Sequence, residues 1–361
     1  MSKKILMSGN EAVAEGALCA GCSFYAGYPI TPQNEVPAYM AQHMPETGGV
    51  FIQAESELAA VNMVFGAAAA GARAMTSSSS PGISLKQEGI SYMAGAELPA
   101  LIVNMMRGGP GLGNIAPSQS DYFQATRGGG HGDYRCIVLA PFSVQETYNL
   151  SILAFDLADK YRVPIIILGD GILGQMMEPL SVVRRPCLSG RQASSVVRGT
   201  RNTKKWALTG CNGRRPNIIK SFYLEEGALE KFNLKLQKKY RTICNKEQRY
   251  EGLFLDDAQI ILVAYGTMAR IAKSLVKRLR QQGKKFGLIR PITLWPFPDK
   301  IFGQLSESAK KPQLLVVEMS YGQMLQDVKL ACDGKLPVEF LGRAGGGIPS
   351  EEEIINKIKS L

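Results

Sequence analysis

No run of about twenty apolar residues occurs in this 361-residue sequence, so no helix crossing a bilayer is expected. The start, MSKKILMSGNE, lacks the apolar segment and small-residue cleavage site of a secretory signal. Cysteine is sparse: seven, an odd number without regular spacing, as reduced thiols would be. A cytoplasmic protein is therefore expected. Cys19 and Cys22 form the one CxxC, with no second pair to complete a zinc site, and read as two small apolar residues one helical turn apart. The repeated CxxCxxC spacing that holds iron–sulfur clusters is absent, so electrons leaving through clusters would need another chain. Histidine occurs only twice, and His131, in a polar loop, is open to an acid–base or a structural role.

With 45% hydrophobic residues the chain can bury about two or three ordinary domain cores. Its net charge of +11 is local. From Arg184 to Arg249 there are 17 Lys or Arg against 4 Asp or Glu, while the remainder carries a net −2. One basic segment beside nearly neutral regular parts suits a docking surface for an acidic partner better than a nucleic-acid-binding fold. A solvated basic linker accounts for the same composition. Neither nucleic acid nor a membrane is an expected partner.

Apolar strand patterns at 4–7, 24–26, 49–53, 72–76, 101–106, 135–140 and 163–168 alternate with helical ones. That βαβ rhythm predicts a mostly parallel, doubly wound sheet. Two carboxylates, Glu55 and Glu57, sit where the third strand gives way to an Ala-rich helix whose next fourteen or so residues hold little polar except Asn62. Glu57 is either a solvated first-turn acid favoured by the helix dipole or a carboxyl kept protonated by burial to exchange a proton with a cofactor. The following strand leads into Ser77–Ser80 and a Pro81-Gly82 turn.

Gly27-Tyr-Pro-Ile-Thr-Pro32 stiffens a loop at a strand's carboxyl end, where open parallel sheets bind ligands, and Thr31 offers a hydroxyl there or caps the next helix. Arg107 ends the fifth strand and is followed by Gly108-Gly-Pro-Gly-Leu-Gly113, which leaves an anion unobstructed access. Gly169-Asp-Gly171 imitates the magnesium-binding GDG…N motif. The next suitable asparagine, Asn202, comes late in a segment without sheet pattern, so this GDG reads as a strand-end turn. After residue 175 the alternation stops, with one helix expected at 225–245. A smaller α/β unit resumes at 258, where Gly266-Thr267 can cap a helix or bind an anion.

Six segments together resemble one family: Gly27–Pro32, Gln53-Ala-Glu-Ser-Glu57, Thr76–Gly82, Gln87–Glu97, Met106-Arg-Gly-Gly-Pro-Gly111 and Arg290-Pro-Ile-Thr-Leu-Trp-Pro-Phe-Pro298. The sequence is similar to the alpha subunit of 2-oxoacid:ferredoxin oxidoreductases, most closely the 2-oxoisovalerate (3-methyl-2-oxobutanoate) type. The resemblance implies a thiamine-diphosphate pyrimidine-binding domain at 1–175, a basic linker or insert at 176–257, and a transketolase C-terminal-like domain at 258–361. It implies that a beta subunit supplies the diphosphate-binding domain with Mg²⁺. A gamma subunit and a ferredoxin-like delta subunit with iron–sulfur clusters complete the complex, and no metal belongs to this chain.

The chemistry so implied is oxidative decarboxylation of a 2-oxoacid to acyl-CoA and CO₂, with electrons to ferredoxin. Glu57, rather than Glu55, falls at the position whose carboxyl bonds N1′ of the aminopyrimidine and favours its imino tautomer. Thr31 and Arg107 would contact the substrate. Tyr28, Pro29, Ser78 and Ser79 would line the cofactor, although the run 77–80 does not say which serine touches it. The same machinery acting on 2-oxoglutarate or pyruvate, and a non-enzymatic basic binding protein, are the alternatives.

Overall fold

The computed structural model describes residues 4–182, 204–308 and 311–361. The first part of the basic segment, with Asn202, lies outside the described residues. The first unit is a seven-stranded sheet made by β2 (Phe24–Gly27), β3 (Val50–Gln53), β4 (Ala74–Ser78), β5 (Ala100–Met106), β6 (Ile137–Leu139), β7 (Pro164–Asp170) and β12 (Thr293–Trp295), in the order β12-β6-β7-β5-β4-β2-β3. All neighbours are parallel except β12 against β6. β5 and β7 are buried along their whole lengths, as strands covered on both faces must be, and so read as unbroken apolar runs. From β2 the chain moves outward to β3, then returns past β2 to β4. The sheet's topological switch point therefore lies between the carboxyl ends of β2 and β4.

The second unit has the strand order β14-β13-β10-β11-β9. Its strands are β9 (Tyr250–Leu253), β10 (Ile260–Val263), β11 (Phe286–Pro291), β13 (Gln313–Glu318) and β14 (Val338–Gly342), with β9 alone antiparallel to its neighbour. The Pro-rich stretch after β11 carries β12 back to the first sheet. One apolar core runs through both units and includes Ile102, Tyr122, Tyr265, Ile289 and Val316. Gln119 ties the units at their junction, donating from Nε2 to the Tyr265 carbonyl at 2.9 Å and accepting from Met319 N–H at 2.9 Å.

Three expectations are corrected. The first strand, β1 (Lys4–Ser8), stands outside the main sheet and pairs antiparallel with β8 (Met177–Ser181), which showed no strand pattern. Cys19 and Cys22 are not one turn apart on a helix: the first helix spans Gly9–Cys19, and Gly21, at φ +79°, ends it in left-handed backbone. Pro81-Gly82 is no free turn: it lies in the first turn of helix Ser80–Gly95, where proline's missing N–H costs nothing.

The basic segment also has a place in the fold. Its helix, Ala228–Lys246, buries Leu236, Tyr240 and Ile243 on the first unit. Lys235 and Lys239 both pair with Glu97, and Lys204 pairs with Asp159. Part of the positive charge is thus neutralised within the chain. Lys205, Arg214, Arg215, Lys231 and Arg241 remain exposed. No described helix is long and apolar enough to cross a membrane.

Candidate active site at the switch point

The crevice is framed by the segments that leave β2, β3 and β4. Ala54 N–H donates to the Gly27 carbonyl at 2.9 Å and holds two of these strand ends together. Beyond β3, Ser56 takes extended backbone and accepts from Ala59 N–H at 3.1 Å, so it caps the helix Glu57–Ala69. Glu57 is therefore the first helical residue, and it is only 7% exposed. Glu55, two residues earlier, is exposed. The helix terminus favours a negative carboxylate there, whereas burial opposes one.

Opposite Glu57 stands Gly82. A Cβ at that position would lie 2.5 Å from Glu57 Oε1 and 2.1 Å from Ser78 Oγ, so any larger residue displaces the carboxyl. The two helices pack closely for the same reason further along, where a Cβ on Gly89 would meet Val61 at 2.6 Å. Glycine is required at both approaches.

The serine run divides cleanly. Ser77 Oγ is 2.6 Å from Tyr25 OH and donates to Gln33 Oε1 at 2.5 Å. Ser80 Oγ accepts from Arg107 N–H at 3.0 Å. Ser78 and Ser79 are fully buried, and neither hydroxyl oxygen has a hydrogen-bond partner within the chain. Leaving a buried hydroxyl unpaired costs roughly 1–3 kcal/mol each. Ser78 Oγ, which shares the Gly82 approach with the Glu57 carboxyl, is a polar group that a ligand can satisfy.

Arg107 reaches the same rim from β5. It is 7% exposed, donating from Nη1 to the Thr31 carbonyl at 3.0 Å and from Nη2 to the Leu112 carbonyl at 3.2 Å, while its buried Nε has no partner in the chain. Thr31, Tyr28 and Pro29 are exposed on the loop after β2. The structure thus brings Glu57 and Ser78 together and sets Thr31 beside Arg107, with Ser80 bonded to Arg107. The buried Ser79 hydroxyl makes no hydrogen bond to Glu57. His131 lies on the surface, its ring edge-on to Tyr92 at 5.8 Å. The Cys22 thiol is pushed up to about 12 by burial and donates to the Phe24 carbonyl at 3.5 Å.

Asp170, the centre of the GDG, is engaged structurally. Its Oδ1 accepts from Ile172 N–H at 3.0 Å, Leu173 N–H at 3.1 Å and Thr267 Oγ1 at 2.9 Å, while burial pushes its carboxyl above the usual range. It joins the two units and occupies the Thr267 hydroxyl. Among the described residues no cluster of three His, Cys, Asp or Glu could hold a metal.

One group escaped the sequence reading. Lys86, on helix Ser80–Gly95, is completely buried and donates from Nζ to Thr76 Oγ1 at 2.8 Å and to the Ser77 carbonyl at 3.5 Å. Burial pulls its ammonium down to about 8, and the charge of Glu57 partly offsets that. Its position had a signal: Ile83, Lys86, Ile90 and Met93 recur at helical spacing, so a cation stands on the buried stripe.

The family model described as pyruvate flavodoxin/ferredoxin oxidoreductase, thiamine diP-binding, matches residues 15–210, and that for pyruvate:ferredoxin oxidoreductase core domain II matches 258–354. Ketoisovalerate oxidoreductase subunit VorB of Methanothermobacter marburgensis is 51% identical, with 99% of this chain and 97% of that one aligned. The 2-oxoglutarate synthase subunit KorA of the same organism is 37% identical over the full length of both. Among solved structures, 2-oxoglutarate:ferredoxin oxidoreductase from Magnetococcus marinus, with 2-oxoglutarate, coenzyme A and succinyl-CoA bound, superposes with a TM-score of 0.84 at 27% identity. That match covers 99% of this chain and 65% of the other. The crevice residues fall within the part matched by the thiamine-binding model, and the chain belongs to the 2-oxoacid:ferredoxin oxidoreductase family as one of its subunits.

Proposed function

We propose that this chain supplies the pyrimidine side of a thiamine diphosphate site in a complex that oxidises 2-oxoisovalerate to its acyl-CoA and CO₂, with electrons passing to ferredoxin. The observation that carries this reading is the buried Glu57 carboxyl against Gly82, beside the unpartnered Ser78 hydroxyl at the switch point. Residues 1–175 form the pyrimidine-binding domain, 176–257 a basic connecting segment, and 258–361 the transketolase C-terminal-like domain. The diphosphate and its Mg²⁺ belong to a beta subunit, and in this chain Asp170 Oδ1 instead caps its own turn and accepts from Thr267. Iron–sulfur clusters reside in a delta subunit, and a gamma subunit completes the assembly. The reduced cysteines suit a cytoplasmic location.

Glu57 fits the ring edge because its carboxyl is buried, so a ring nitrogen can bond it without competition from water. Bound thiamine diphosphate supplies the carbanion chemistry at the 2-oxo carbon. This chain's residues orient and protonate: Glu57 holds a proton at the ring nitrogen, while Ser78 and Ser79 donate hydrogen bonds. Gly82 keeps the approach open, and Tyr28 and Pro29 close the rim. Arg107 and Thr31 bind the substrate's carboxylate and carbonyl, the guanidinium by charge and the hydroxyl by one fixed hydrogen bond.

The reading is tested by assembling the complex and measuring CoA-dependent reduction of a viologen dye with a panel of 2-oxoacids. The highest kcat/KM is expected for 2-oxoisovalerate; a higher value for 2-oxoglutarate or pyruvate would reassign the substrate. In the same assay Arg107→Ala should raise KM about tenfold to hundredfold, the equivalent of a charged hydrogen bond of about 1.5–3 kcal/mol. An unchanged KM removes Arg107 from substrate binding.

A further inference from the structure

We infer that Leu112 and Ile115, on the loop that follows Arg107, set the substrate class by receiving the alkyl chain of an aliphatic 2-oxoacid. The inference rests on the role proposed above for Arg107 and Thr31, which concerns only the carboxylate and carbonyl end of the substrate.

Two contacts pin this loop against the one that carries Thr31. The Arg107 guanidinium clasps both, with Nη1 on the Thr31 carbonyl at 3.0 Å and Nη2 on the Leu112 carbonyl at 3.2 Å. The loops meet again around Gly171, where a Cβ would stand 3.3 Å from Pro32 Cγ and 3.7 Å from the Ile115 carbonyl oxygen. Leu112 and Ile115 thus stand on the strip of chain that borders Thr31 and Arg107.

That strip is braced from within and from the second unit. Gly108 N–H donates to the Ala116 carbonyl at 2.9 Å, and Asn114 N–H to the Gly108 carbonyl at 3.0 Å. Asn114 Nδ2 donates to the Gly345 carbonyl at 3.0 Å, while its Oδ1 accepts from Ala116 N–H at 3.0 Å. Gly113, at φ +62°, leaves no room for a Cβ, which would fall 1.7 Å from the Gly108 oxygen.

A loop held this firmly still leaves Leu112 81% and Ile115 65% exposed. Scattered exposed apolar residues are ordinary. Two branched ones on a braced loop, clasped by the arginine assigned to the carboxylate, suit a ligand with an anionic head and an apolar tail. The chain carries no charged side chain from Gly108 to Ser120. A second carboxylate, as in 2-oxoglutarate, would lose water against the two aliphatic groups with no cation from this loop to offset the cost. A branched alkyl chain gains by the same loss of water. The single methyl of pyruvate covers less of the surface and gains less.

The test measures kcat/KM for 2-oxoisovalerate and pyruvate in the assembled complex carrying Leu112→Ala, Ile115→Ala, both changes together, or Leu112→Met. Both side chains lie mostly in solvent, so the variants should fold and assemble as wild type does, which co-elution of the subunits checks. The ratio of the two kcat/KM values, 2-oxoisovalerate over pyruvate, should fall about tenfold in each single alanine variant, the scale of a lost apolar contact in a substrate pocket. It should fall further in the double variant and hold in Leu112→Met, which keeps the bulk. Unchanged ratios overturn the inference. Equal losses with both substrates, or loss of assembly, overturn it as well, since the loop would then be meeting another subunit. A ratio that drops as far in Leu112→Met as in Leu112→Ala also overturns it, because bulk would not be the cause. A wild-type complex that prefers pyruvate instead overturns the substrate proposed above, and the change of ratio in the variants still decides what these two side chains do.

Discussion

In the assembled complex, Glu57→Gln should lower 2-oxoacid-dependent dye reduction by about 10²–10⁴-fold, the usual span for a positioned acid–base group, while the chain still folds and assembles. The amide matches the carboxyl in volume, so the 2.5 Å approach to Gly82 is kept and the helix retains its Ser56 cap. What the amide cannot do is pass a proton to and from a ring nitrogen. The expected loss therefore falls on kcat and not on assembly or on KM. Glu55→Gln is the control: that side chain is exposed, and its removal should leave turnover near wild type. Activity within a few-fold of wild type in Glu57→Gln would reject the assignment of Glu57. Equal losses at 55 and 57 would point to the charge of the helix terminus in place of a specific proton.

How far this site could be read without coordinates follows from which signals are local. The burial of Glu57 was one of the two readings that a carboxylate at a strand-to-helix junction left open, and the structure buries it while Glu55 stays exposed. The mostly parallel sheet was legible because its inner strands, β5 and β7, are covered on both faces and so carry continuous apolar sequence. Strand β12 was not: its three residues sit among prolines, and only non-local pairing with Leu139 and Val138 makes them a strand. The first strand was seen but misplaced, since Ile5 and Leu6 look like core residues and are exposed in a separate ribbon. The division of labour among the serines could not be seen either. It depends on Tyr25, Gln33 and Arg107, which reach residues 77 and 80 from other elements.

Lys86→Met should raise folding stability at neutral pH, and the gain should disappear as the solution becomes alkaline. In the unfolded chain the lysine titrates near its ordinary 10.5, but in the fold burial brings it to about 8. Between those values the unfolded chain binds the extra proton, so this group makes wild-type stability rise with pH across that window. Below pH 8 the buried ammonium costs about 3 kcal/mol, taking about 1.4 kcal/mol per pH unit. Methionine fills similar space without charge, but Thr76 then loses a donor, which takes back about 1 kcal/mol. The net gain at pH 7 is about 2 kcal/mol, shrinking from pH 8 upward and reversing to a small loss above 10.5. Other buried groups act oppositely at high pH, since burial pushes the Cys22 and Cys136 thiols up to about 12. They are common to both proteins and cancel in the difference. Paired urea denaturations of wild type and variant at about pH 7, 9 and 10.5 measure that difference; equal stability at pH 7, or a gap that widens with pH, would mean that Lys86 carries no buried charge.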